Sequence, residues 1–186
     1  YIMAPLMMGL AFCAKTVVEL VLTQKWLPCV PFLQIFCITY MFYPVHTANL
    51  NAIKAMGRSD IFLKLEIIKK IVGMSLLLST MWFGVMAMAY SLLVSCVLSQ
   101  IINSWPNKRL LGYGYLEQLR DLIPGVILAV IMGICVYFIG YINLPNIIVL
   151  IIQVIVGATI YIVMSIVFKL ESFLYLWNMV KTYLKK

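Results

Sequence analysis

Ile147-Ile148-Val149-Leu150-Ile151-Ile152-Gln153-Val154-Ile155-Val156-Gly157-Ala158-Thr159-Ile160-Tyr161-Ile162-Val163-Met164-Ser165-Ile166-Val167-Phe168 is a run of 22 residues without one charge. A helix that crosses a bilayer needs about 20 mainly apolar residues. In lipid, backbone groups are satisfied only within a helix or in a closed barrel. The run is too long and too continuous for alternating barrel strands, so it reads as a transmembrane helix. Five more segments follow the same rule upstream: Ile2–Leu22, Pro31–Ile53, Ile61–Phe83, Val85–Ser104 and Leu122–Ile142. The Ile61–Phe83 segment carries charge in its first turns, so its apolar centre starts nearer Ile67. The expected fold is all-α: a polytopic membrane protein with a six-helix transmembrane bundle over residues 1–168 and a tail over 169–186.

Composition agrees. The chain is 65% hydrophobic and 11% charged, with a mean hydropathy of +1.06. Soluble domains are about 45–50% apolar and about 25% charged. A soluble fold of this size has too much surface for its volume to hide so much apolar area. The net charge of +8 points to an anionic membrane leaflet. It does not point to nucleic acid, because no basic run interleaved with aromatics forms a binding face. The five cysteines, Cys13, Cys29, Cys37, Cys96 and Cys135, form no CxxC pair and have no His at metal spacing. They read as small apolar filler, and no metal or cofactor is expected. No initiator Met or basic n-region precedes the first apolar stretch, so no signal peptide is expected and Tyr1 reads as a cut into a longer protein. The segments between spans are too short for an extramembrane catalytic domain, and GxxxxGK[ST], HExxH and GxSxG are absent.

Lysines and arginines set the expected orientation. Lys54, Arg58, Lys64, Lys69 and Lys70 surround the second connection. Lys108, Arg109 and Arg120 sit in the fourth, and Lys169, Lys181, Lys185 and Lys186 in the tail. The first connection holds only Lys25, and the third and fifth hold none. This alternation puts the basic connections and the C-terminus in the cytoplasm. Trp26, Trp82 and Trp105 fall at span ends, where amphipathic rings favour the headgroup region. In the tail, Leu170, Phe173, Leu174, Trp177, Val180 and Leu184 share one helical face, as in an amphipathic helix on the inner leaflet. A disordered basic tail is the other reading.

Ionisable and polar groups within spans mark candidate sites. Lys15 and Glu19 lie four apart on one face of the first span. They read either as a site in a water-filled cavity or as an internal ion pair. In the second span Tyr40, Tyr43, Thr47, Asn51 and Lys54 fall within an arc of about 80° at helical spacing. Aromatic faces suit sugar rings, Thr and Asn offer donors and acceptors, and Lys offers charge to phosphate. The stripe reads as cavity lining or as polar glue between helices. His46 and Asn49 lie on neighbouring faces. His46 reads as a buried hydrogen-bonding residue or a proton carrier. Pro44 permits local bending. Ser91, Ser95 and Ser99 repeat every four residues, a face for close helix packing, and Gly133, Gly140 and Gly157 read the same way.

The order of motifs resembles a known family. Pro5 and Gly9 lead into Thr23-Gln24-Lys25-Trp26-Leu27-Pro28, followed by Leu33-Gln34-Ile35. Then come Asn49-Leu50-Asn51-Ala52, Lys54-Ala55-Met56-Gly57-Arg58-Ser59-Asp60 and Leu63-Lys64-Leu65-Glu66. These resemble the polysaccharide biosynthesis proteins of the multidrug/oligosaccharidyl-lipid/polysaccharide flippase superfamily, which includes O-antigen and exopolysaccharide translocases. The specific part covers about Pro5–Lys70. Where that family often has a Gly-Glu-Lys-Trp-like turn, this chain has Thr23-Gln24-Lys25-Trp26.

The resemblance implies a protein of 12–14 helices in two lobes around a cavity that opens alternately to each side of the bacterial inner membrane. The cargo it implies is an oligosaccharide linked to undecaprenyl diphosphate, with bilayer lipids as surroundings. The six helices are then part of the C-terminal lobe, and the N-terminal lobe of the same chain is the missing partner. It implies no enzyme activity. Two alternatives stay open: a drug/cation antiporter of the same superfamily, and a membrane enzyme of polysaccharide assembly. An antiporter wants a more acidic cavity than Lys15 and Lys54 give. An enzyme wants a large outer loop or a His/Asp/Arg cluster at one membrane face.

Overall fold

The computed structural model describes residues 1–142 and 144–184. Lys185 and Lys186, expected in the basic tail, and Asn143, in the fifth connection, lie outside the described residues. Among the described residues the fold is all helical, with no strand. The helices are α1 (Met3–Phe12), α2 (Ala14–Val21), α3 (Val30–Met41), α4 (Tyr43–Ala55), α5 (Ser59–Thr80), α6 (Val85–Leu111), α7 (Tyr115–Ile139), α8 (Asn146–Val167) and α9 (Glu171–Leu184). Short 3-10 turns at Gln24–Cys29 and Met81–Phe83 join α2 to α3 and follow α5.

Four stretches are long and apolar enough to cross a membrane: Gln24–Ala55, Val85–Leu110, Tyr115–Ile139 and Asn146–Val167. Met3–Phe12 and Ala14–Val21 make a fifth if the pair, bent by 68°, counts as one span. The third expected span, Ile61–Phe83, is the difference. α5 is 22 residues long, but it carries Asp60, Lys64, Glu66, Lys69 and Lys70 in its first half. Its length suffices for a bilayer and its charge does not, since each such group at membrane depth is expensive.

The second expected span is broken, as Pro44 leads one to expect. α3 ends at Met41, Phe42 forms the joint, and Pro44 sits in the first turn of α4, where a missing N–H costs nothing. The turn after α2 carries strain. Thr23 has φ 75° and ψ 165°, a backbone region that is essentially glycine's. Thr23 stands where the Gly-Glu-Lys-Trp-like turn has glycine.

The chain forms two compact units, Tyr1–Val30 with Asp121–Lys186, and Pro31–Arg120. In the first, Cys13, Leu128, Ala129, Met132, Val136 and Tyr161 form a buried core. Small residues let its helices approach. A Cβ on Gly133 would collide with the Phe12 ring, and one on Gly157 would stand 3.0 Å from Val136 Cγ2. Tyr1 donates to Ser165 Oγ at 2.8 Å, and Tyr161 donates to the Tyr1 carbonyl at 3.2 Å. α9 belongs to this unit: Phe173 lies 6.0 Å from Tyr1, ring to ring, and stacks on Trp177. In the second unit α5 and α6 lie side by side. Gly73 faces Ser95 there, at 3.4 Å from an ideal Cβ to Oγ, so one member of the serine repeat does serve close packing.

Candidate functional site

α4 presents two different faces. One carries Tyr43, Thr47, Asn51 and Lys54, all exposed, and α3 adds the exposed Tyr40 just before the joint. The Tyr40 and Tyr43 rings are neighbours, 6.4 Å apart, so the stripe stays continuous across the break. Thr47 Oγ1 donates to the Tyr43 carbonyl at 3.1 Å. Lys54 Nζ lies 4.3 Å from the centre of the Phe62 ring, a cation–π contact.

The other face lies roughly a third of a turn round the helix and carries His46, Asn49 and Ile53. It meets a second polar row, Gln100, Asn103, Ser104 and Asn107 on α6, with Gln118 from the first turn of α7. All five of these residues and Asn49 are buried, Asn103 and Asn107 almost completely (0% and 1% exposed). Asn49 Nδ2 donates to Gln118 Oε1 at 2.8 Å, and Ser104 Oγ donates to the same oxygen at 3.1 Å. Asn107 Nδ2 donates to Asn49 Oδ1 at 2.8 Å. Asn49 therefore joins three helices through its two amide atoms.

A second chain of hydrogen bonds runs beside the first. Asn103 Nδ2 donates to His46 Nδ1 at 3.3 Å. The ring then carries its proton on Nε2, which donates to Cys96 Sγ at 3.4 Å. Cys96 in turn donates to the Thr39 carbonyl at 3.4 Å. Both ring nitrogens of His46 are engaged. Four buried atoms of the cluster, Gln100 Oε1, Asn103 Oδ1, Asn107 Oδ1 and Gln118 Nε2, have no hydrogen-bond partner among the described residues. A buried unpaired polar atom costs about 1–3 kcal/mol, so such a cluster is retained for what it holds together or holds. Pro106 lies inside α6 amid the row and removes one backbone donor, which weakens the helix where the amides take over the bonding.

Sequence reasoning missed Gln100, Asn103, Asn107 and Gln118, and read Ser104 only as a span end. The signal was present: residues 100, 103, 104 and 107 repeat at i, i+3, i+4 and i+7, a polar stripe at helical period.

In the first unit Lys15 is exposed and Glu19 half-buried. They form no ion pair with each other among the described residues. Glu19 Oε2 instead accepts from Asn146 Nδ2 at 3.1 Å, at the start of α8. No group of three or more His, Cys, Asp or Glu among the described residues is placed to hold a metal.

Residues 1–31 match the model of a family described as polysaccharide biosynthesis protein. A curated protein, an uncharacterized membrane protein in the cps region of Klebsiella pneumoniae, is 29% identical over 104 residues. That match covers 55% of this chain, and the chain spans about a fifth (21%) of the relative's length. No solved structure matches. The apolar helices and the similarity to a membrane protein support a multi-pass membrane protein, similar over residues 1–31 to polysaccharide biosynthesis proteins.

Proposed function

We propose that the chain is part of a flippase that carries a lipid-linked oligosaccharide or polysaccharide precursor, of the undecaprenyl-diphosphate type, across the bacterial inner membrane. The observation that carries this reading is the exposed stripe Tyr40, Tyr43, Thr47, Asn51 and Lys54 on a stretch long and apolar enough to span. An amide and an ammonium facing acyl chains are costly, so such a face belongs against an aqueous path or further protein. Its chemistry suits the cargo: two aromatic faces for sugar rings, hydroxyl and amide groups for their hydroxyls, and a cation for the phosphates. The buried amides behind α4 hold the stripe on a rigid helix. Family similarity over residues 1–31 supports a role in polysaccharide synthesis or export. The six-span topology with a cytoplasmic C-terminus, the missing N-terminal lobe and a transport rather than enzymatic role are parts of the same proposal. Among the alternatives, a cation antiporter is disfavoured by Lys54 in the stripe.

The experiment uses the full-length protein in cells, with surface polysaccharide measured at matched protein levels. Tyr43→Leu, Asn51→Leu and Lys54→Met together are expected to lower export at least tenfold. A single cysteine at Thr47 is expected to react with a membrane-impermeant thiol reagent. Wild-type export by the triple variant, with no labelling at Thr47, would remove the stripe as a transport surface.

A further inference from the structure

We propose that the groove between α5 and α6 is a binding site for one anionic phospholipid of the surrounding bilayer. The site is separate from the Tyr40–Lys54 stripe and does not depend on the transport reading. The groove has a volume of about 540 Å3, within the size of ligand pockets. Its two walls run antiparallel, so the start of α5 lies beside the end of α6. That end carries three cations, Arg58, Lys64 and Arg109. The other end is hydrocarbon, with Ile68 from α5 and Ile101 and Ile102 from α6. Cationic at one end and apolar along the rest, the groove has the polarity of a lipid: a phosphate on the cations, an acyl chain on the isoleucines.

The charges are available to a ligand. Lys64 has no ion-pair or hydrogen-bond partner among the described residues and is exposed. Arg109 lies 5.0 Å from the Trp105 ring centre, a contact that leaves its guanidinium edge open. Arg58 donates to both Asp60 oxygens, at 3.3 and 3.5 Å, in an exposed pair that competes only weakly with a phosphate. Trp105 lines the groove and is itself exposed, an indole where headgroup meets hydrocarbon. A protein helix packing here would need carboxylates to meet three cations. A phospholipid brings its phosphate already joined to a chain that suits the apolar end. Neutral phosphatidylcholine gains less, because its choline meets the same cations.

Trp105 supplies the test. Full-length protein with every tryptophan other than Trp105 changed to Phe, Trp26, Trp82 and Trp177 among them, is reconstituted in phosphatidylcholine vesicles. Brominated phosphatidylglycerol or brominated phosphatidylcholine is then added as a minor component. Quenching of Trp105 is expected to reach half-maximum at a much lower fraction of the glycerol lipid. Arg58→Gln, Lys64→Gln and Arg109→Gln are each expected to raise that fraction about fivefold. Lys25→Gln is expected to leave it unchanged, and free inorganic phosphate is expected not to displace the lipid. Equal quenching by the two lipids overturns the site. So does an absence of quenching, which makes the groove an interface covered by protein. Displacement by undecaprenyl phosphate in the presence of excess phosphatidylglycerol also overturns it, by making the carrier lipid the occupant.

Discussion

The two units hold their helices together with different emphasis. In the unit made of Tyr1–Val30 and Asp121–Lys186, contact depends on missing atoms: Gly133 makes room for Phe12, and Gly157 for Val136. In the Pro31–Arg120 unit it depends on extra polar atoms: Asn49, Asn103, Ser104, Asn107 and Gln118 bond across α4, α6 and the start of α7. Lipid is as apolar as a leucine side chain, so hydrophobic burial gives helices little reason to associate within it. Close approach and hydrogen bonding are what remain; both units use both, but the first leans on close approach and the second on buried amides. A shape-based contact is broken by adding atoms and an amide-based contact by removing them.

The largest expected effect is in the amide unit. Asn49→Leu keeps the branched shape but deprives Gln118 Oε1 of its shorter donor and Asn107 Nδ2 of its shorter acceptor. The expected loss is about 3 kcal/mol of unfolding free energy, measured in bicelles on the full-length protein. A loss of a few tenths instead would mean that the amides are decoration and that both units rest on shape. Next comes Gly133→Val in the glycine-notched unit, where the added methyls meet Phe12. Overpacking of this kind is expected to cost about 2 kcal/mol. Phe12→Ala placed in the same background should recover part of it. Absence of recovery breaks the shape side of the comparison.

The smallest effect has the opposite sign. Thr23 holds a backbone conformation that a β-branched residue resists, at φ 75°. Thr23→Gly is expected to raise stability by about 1 kcal/mol, strain relief less the entropy that glycine loses. It touches neither set of helix contacts. It therefore sharpens the comparison by showing how much a unit gains from backbone relief alone. A destabilised Thr23→Gly protein would mean that the threonine side chain itself is holding the turn.

Much of the architecture was written in the residues. The uncharged run Ile147–Phe168 became α8, Asn146–Val167, with ends within one residue. Pro44 marked the joint at Phe42, and the charges of α5 were visible as the weak point of the third span. Helix formation in lipid is a local demand of the backbone, so length, apolarity and proline are enough to locate it. The glycines and serines could be picked out as packing positions for the same reason, since only a small side chain allows two backbones to come close.

Which polar face of α4 turns inward was decided by the tertiary structure. From sequence, the Tyr40–Lys54 stripe was the more conspicuous face, while His46 and Asn49 were only its neighbours. The structure buries Asn49, half-buries His46 and leaves the stripe exposed. An amide is costly or stabilising in a membrane according to whether another amide meets it. The partners of Asn49 lie 58 and 69 residues away, on α6 and α7. Arg58 and Arg109 are likewise far apart in sequence, yet they share the α5–α6 groove although neither spacing nor composition links them. Helical period places a residue on a face of its own helix. Only the packing of distant helices decides what that face meets.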